Sequence, residues 1–136
     1  MKRAALLVLL LAASPAAAAP SWIAGRWFGT GQPNDKSQMW LEEAGADGSF
    51  HVLFRACRQG KAADATNDGR WELSGNAETI TVDTVDGHKT MPRFDHYTIV
   101  SHTADKQVYR YDLNGFVYTS HRVDAKFEMP SCDLTS

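Results

Sequence analysis

Hydrophobic and polar residues alternate along most of this chain, with the period of two that belongs to β-strands. The clearest run is Ser49 to Arg58, where Phe50, Val52, Phe54 and Ala56 take one face and His51 and Arg55 the other. Glu78 to Val85 repeats the pattern, setting Ile80, Val82 and Thr84 against Thr79, Thr81 and Asp83. Further strands are predicted at about Arg26 to Gln32, Ser37 to Glu43, Gly69 to Ser74 and Asp95 to His102. In the second of these, Met39 and Leu41 share one face and Trp40 and Glu42 the other; in the third, Trp71 and Leu73 point inward.

The last two strands, Gln107 to Leu113 and Phe116 to Val123, flank Asn114-Gly115, a pair suited to the type I′ turn that matches strand twist. A two-residue loop there pairs Leu113 with Phe116, Tyr111 with Tyr118, Tyr109 with Ser120 and Gln107 with Arg122, all eight on one inward face. Turn-forming residues separate the other strands at 33–35, 44–48, 75–76 and 104–106. Gln59 to Asp68 reads as an exposed loop, as does Asp86 to Phe94, which holds Gly87 and Pro92. The tail from Asp124 onward reads as a capping segment.

No segment of the mature chain has a convincing helical period. Eight short strands with turns every 8 to 12 residues or so predict one all-β domain. Every connection works as a hairpin to the next strand, and closure removes the free edges. An eight-stranded antiparallel up-and-down barrel is therefore preferred over a sandwich.

The N-terminus has another character. Lys2 and Arg3 precede the apolar stretch Ala4 to Ala13, and small residues follow at Ala16 to Ala19. This is the form of a secretory signal peptide cut after Ala18, leaving residues 19–136 as the barrel domain. The apolar run is too short to span a bilayer, which takes about 20 residues. The expected location is the periplasm or outside the cell. Losing Lys2 and Arg3 lowers the basic count from 14 to 12 against 16 acidic residues. An acidic mature chain argues against a nucleic-acid surface and against an anionic-lipid binder. The two cysteines, Cys57 and Cys132, are expected to form one disulfide in an oxidising compartment.

The chain resembles the lipocalin and wider calycin superfamily of eight-stranded barrels. The resemblance rests on Gly25-Arg26-Trp27 opening the first strand and on Arg122 near the end of the last. It implies that the Arg122 side chain packs over Trp27 at the closed end of a lipocalin-like barrel. The start of the chain through Ala44-Gly45-Ala46-Asp47-Gly48 also resembles avidin-type barrels. Those use tryptophans on later strands for biotin, whereas the four here, at 22, 27, 40 and 71, all lie in the first half. Biotin is therefore not the expected ligand.

Candidate chemistry centres on the tyrosines. Tyr109, Tyr111 and Tyr118, with Phe54 and Trp71, are expected to line a cavity for a small hydrophobic or aromatic ligand, since tyrosine offers an apolar ring with a polar tip. The alternative is a lumen filled by side chains, with the protein serving as an envelope interaction or protease-inhibitor module. The five histidines, His51, His88, His96, His102 and His121, show no convergent spacing, and two cysteines alone make a poor metal site. His96 and His102 share a strand face but stand roughly 20 Å apart at strand rise. No nucleophile elbow, phosphate-cradling loop or dinucleotide fingerprint is present. Asp95 and His96 are adjacent on a strand and point to opposite faces. Neither a metal, a cofactor nor an enzymatic activity is expected.

Overall fold

The computed structural model describes residues 21–32 and 35–135. The expected signal peptide, its cleavage point and the Pro33-Asn34 part of the first turn lie outside them. Eight strands follow one another: β1 (Gly25–Gln32), β2 (Asp35–Ala44), β3 (Ser49–Arg58), β4 (Lys61–Ser74), β5 (Ala77–Val85), β6 (His88–His102), β7 (Lys106–Tyr111) and β8 (Val117–Val123). Each pairs antiparallel with the next, and β8 returns to β1, so the sheet closes into a barrel without a free edge. A 3-10 turn, Cys132–Thr135, ends the described chain.

The hairpins divide the barrel into two ends. One carries the residues before β1 and the β2–β3, β4–β5 and β6–β7 turns. The other carries the β3–β4, β5–β6 and β7–β8 connections. The first end is sealed by Trp27, which is fully buried and donates its indole N–H to the Ile23 carbonyl at 2.8 Å. Arg122 is its cross-strand partner on β8, with the guanidinium carbon 4.2 Å from the indole centroid. The same guanidinium donates to the carbonyls of Trp22 (2.6 Å), Ala24 (2.9 Å) and Ala104 (2.7 Å). Gly25 (φ +141°) is required there, because a Cβ at that position would collide with the Arg122 guanidinium.

Above this plug, Trp40, Phe50, Val52, Trp71, Ile80, Val82, Ile99 and Tyr109 form the inner core. A second, smaller cluster lies outside the barrel. Met39 faces outward from β2 yet is only 1% exposed, because it packs with Cys57, Cys132, Phe28 and Met129. The tail makes this possible by running as a strap over the outer face of β1 to β3. Arg26 donates to the carbonyls of Asp124 and Phe127, Phe127 packs on Phe28, and Arg55 donates to the Pro130 carbonyl. The expected Cys57–Cys132 disulfide then fastens the strap to β3.

Three expectations are corrected. Residues 61–68 are not a loop; they are the first half of β4, paired along β3 through a two-residue turn at Gln59-Gly60. Both turn residues have positive φ, 51° and 70°, as a type I′ turn demands. Ala, Asp and Asn are weak strand formers, so cross-strand pairing imposes this segment, including a bidentate Arg55–Asp64 ion pair at 2.8 Å. Likewise Asp86-Gly87 is a tight turn (φ 49° and 77°) and β6 begins at His88; Pro92 is accommodated where the β5–β6 register shifts. Finally, the β7–β8 connection is the five residues 112–116. Tyr109 pairs with Tyr118 and Gln107 with Ser120, two residues from the expected register. A shift of two keeps every side chain on its expected face, but Leu113, 82% exposed, leaves the inner wall.

Replacing Arg122 by Met keeps the bulk over Trp27 and strands three carbonyls. Chemical unfolding should show a loss of about 3 kcal/mol, together with a weaker near-ultraviolet tryptophan signal. A loss below about 1 kcal/mol would mean that the plug does not depend on this side chain.

Candidate ligand cavity

The barrel is hollow beyond its plug, with a cavity of about 540 Å³ open to solvent. All four tyrosines of the chain line it. Tyr97 comes from β6, Tyr109 and Tyr111 from β7, and Tyr118 from β8, so inward alternation on three adjacent strands gathers them on one wall. Their rings touch in sequence: Trp40 meets Tyr118 edge-on at 5.6 Å, Tyr118 meets Tyr109 at 6.0 Å, Tyr109 meets Tyr97 at 5.7 Å and Tyr97 meets Tyr111 at 5.0 Å. Such offset and edge-to-face contacts hold aromatic rings in place. Phe50, Val52 and Ile80 supply the apolar surface opposite, and Phe54 and Phe116 add to the lining while still partly exposed.

Polar tips fix the orientation of this wall. Ser120, fully buried on β8, accepts from the Trp40 indole N–H at 3.3 Å and lies 3.2 Å from the Tyr109 hydroxyl. The Tyr111 hydroxyl donates to Asp95 at 3.0 Å, and Asp95 is also paired with Arg93. Burial pushes the Tyr97, Tyr109 and Tyr111 hydroxyls above their ordinary range, so they stay protonated and able to donate. Gln107 is 2% exposed, lines the cavity, and has an Oε1 without a hydrogen-bond partner among the described residues.

Two carboxyl groups face the same space. Glu42 is the inward neighbour of Trp27 on β2, and Glu78 is the inward neighbour of Tyr97 on β5. Neither forms an ion pair with a basic side chain among the described residues. Arg55, which also lines the cavity, spends its guanidinium on Asp64 and the Pro130 carbonyl. Desolvation raises Glu42 to about 7, and desolvation together with the nearby Glu42 charge raises Glu78 to about 8. At neutral pH the lumen therefore holds carboxyl groups poised between acid and carboxylate.

Of the site residues expected from the sequence, Tyr109, Tyr111, Tyr118 and Phe54 come together around the cavity. Trp71 does not line it. Its indole N–H donates to the Gly45 carbonyl at 2.8 Å beside the β2–β3 turn, which places it in the packed core toward the sealed end. Tyr97, Glu42, Glu78 and Gln107 were missed. The alternation signal was present for each, since Tyr97 keeps step with Ile99, Glu78 with Ile80, Glu42 with Trp40 and Gln107 with Tyr109. Asp95 and His96 do diverge: Asp95 bonds Tyr111, while His96 meets Thr79. His51 bonds Asp68 and His102 stacks on Trp22 at 3.9 Å. Among the described residues no three His, Cys, Asp or Glu side chains are arranged to hold a metal ion.

No family model, no curated protein and no solved structure matches the chain.

The raised carboxyls give a stability signature. Because their folded values lie above the ordinary 4.5, their contribution is fully present below about pH 4.5 and is lost as pH rises through 7 and 8. The Glu42→Gln/Glu78→Gln double variant should lack this loss. Melting curves from pH 5.5 to 8.5 should show it overtaking the wild type by on the order of 2 kcal/mol at the alkaline end. A pH-independent gap between the two proteins would contradict this account of the pair.

Proposed function

We propose that this chain is an exported binding protein that carries a small hydrophobic or aromatic molecule in its lumen. The observation that carries the reading is the open cavity of about 540 Å³, walled by the four tyrosines together with Trp40, Phe50 and Ile80. That volume lies in the range of small-molecule sites, which combine an apolar lining with a few placed polar groups. A barrel meant only to be stable would fill this space with aliphatic side chains. The reading agrees with the lipocalin resemblance, in which Arg122 packs over Trp27. Export is supported by the form of residues 1–18 and by the Cys57–Cys132 disulfide, which persists in oxidising compartments. No helix among the described residues is long and apolar enough to cross a membrane.

The interaction-module reading has one observation in its favour, a set of exposed apolar residues that includes Met91, Phe94, Leu113 and Phe116. It also called for a filled barrel, and the cavity weighs against that. Catalysis is not part of the proposal.

Titration with the neutral fluorophore N-phenyl-1-naphthylamine should give saturable, one-to-one enhancement. Ala56 lines the cavity on β3, and Ala56→Trp should occupy that space and cut the affinity at least tenfold while the protein still melts cooperatively. A wild-type titration without saturation removes the reading.

A further inference from the structure

We propose that the lumen selects hydrophobic ligands that carry a protonated amine, with the ammonium held by Glu42 and Glu78 and the apolar body lying against the tyrosine wall. This rests on the binding reading above and names the ligand class. The first observation is the imbalance of acceptors and donors. Glu42 and Glu78 line the cavity, and Gln107 presents an Oε1 that no described residue satisfies. An amide oxygen and an ionised carboxylate only accept, and a carboxyl that keeps its proton still has an accepting oxygen. A buried acceptor left unpaired costs stability, so this set is completed by a ligand rich in N–H donors.

The second observation is that no cationic side chain among the described residues pairs with the two carboxyls. Every nearby guanidinium is engaged elsewhere: Arg55 with Asp64, Arg93 with Asp95, and Arg122 with three backbone carbonyls and the Trp27 face. The third is the wall. Indole and phenol rings attract a cation over their faces, most strongly when water is excluded. Trp40, Tyr97, Tyr109 and Tyr118 surround the space that the two carboxyls share. An anionic ligand would meet like charge there, and a neutral one would leave the ionised pair without a counter-charge.

The titratable and charged groups that share the cavity lining with the pair are Tyr97 on β6, Tyr109 and Tyr111 on β7, Tyr118 on β8, and Arg55 on β3, which is already paired; Asp95 on β6 stands behind Tyr111. None of them offers a competing positive charge. Uptake of an ammonium ion therefore draws a proton from the carboxyl pair, and the proton leaves to solvent.

Two matched sets separate charge from shape: tryptamine against tryptophol, and phenethylamine against phenethyl alcohol. Isothermal titration at pH 7.5 should show each amine binding at least tenfold tighter than its alcohol. The preference should weaken tenfold or more at pH 5.5, and buffers of different ionisation enthalpy should reveal proton release. In Glu42→Gln/Glu78→Gln the preference should disappear while the variant keeps the wild-type far-ultraviolet spectrum and melts cooperatively, which shows that it folds. Equal binding of amine and alcohol, or no binding of either amine, overturns the proposal. If N-phenyl-1-naphthylamine is still taken up in that case, the general binding reading survives; if it too fails to saturate, both fall.

Discussion

One guanidinium and one indole hold the closed end of this barrel together. Arg122 reaches it from β8, Trp27 from β1, and the three carbonyls that Arg122 binds come from the chain just before β1 and from the β6–β7 turn. Segments nearly a hundred residues apart are thus joined at a single charged group. A half-buried cation is best held when its donors are used, and here the segment before β1, the last strand and the β6–β7 turn must all arrive for those donors to find their carbonyls. Gly25 belongs to the same constraint, because only a residue without Cβ leaves the guanidinium its place. A barrel sealed in this way at one end can stay empty at the other.

That emptiness has to be offset elsewhere, and the strap does so. The tail covers Met39, brings Met129 and Phe127 onto the outer face, and is locked by a disulfide whose ends are 75 residues apart. In the chain-entropy view a closure of that length is worth roughly 4.5 kcal/mol. Burial outside the sheet thus replaces burial that the lumen forgoes. The division explains why β2 is buried on both faces near its middle: Trp40 belongs to the inner core and Met39 to the outer one.

The architecture was legible because hydrophobic alternation survives in nearly every strand, and a sheet with one wet face writes that alternation into its sequence. Phe50, Val52 and Phe54 needed no context to be placed. The first half of β4 was illegible for the converse reason: Ala62, Ala63, Asp64 and Asn67 carry neither alternation nor strand propensity, and β3 supplies what they lack. Proline and glycine misled at Asp86 to Phe94, where an Asp-Gly pair inside a longer polar stretch was a turn and not part of a loop. In the cavity, the three tyrosines of β7 and β8 were readable as an inward face. Glu42 and Glu78 stood at inward positions just as plainly, but a charged residue at such a position contradicts the rule that makes the pattern readable. Trp71 was misplaced because alternation gives the side of a strand and not the height along the barrel.

That contradiction is where local rules and global fold part company, and such places are where function is expected. Two acids in an aromatic lumen are tolerated because each can keep its proton, at the expense of a structure that loses stability as the pH rises through 7 and 8. Anything that stabilises the ionised pair reverses the sign of that effect. A cation entering the lumen would compete with the protons on the carboxyls, and by linkage such a ligand would add most stability where the empty protein has least. The plug at Trp27 and the strap at Cys132 lie outside this exchange, so the barrel can bear the strain of two opposed acids without opening.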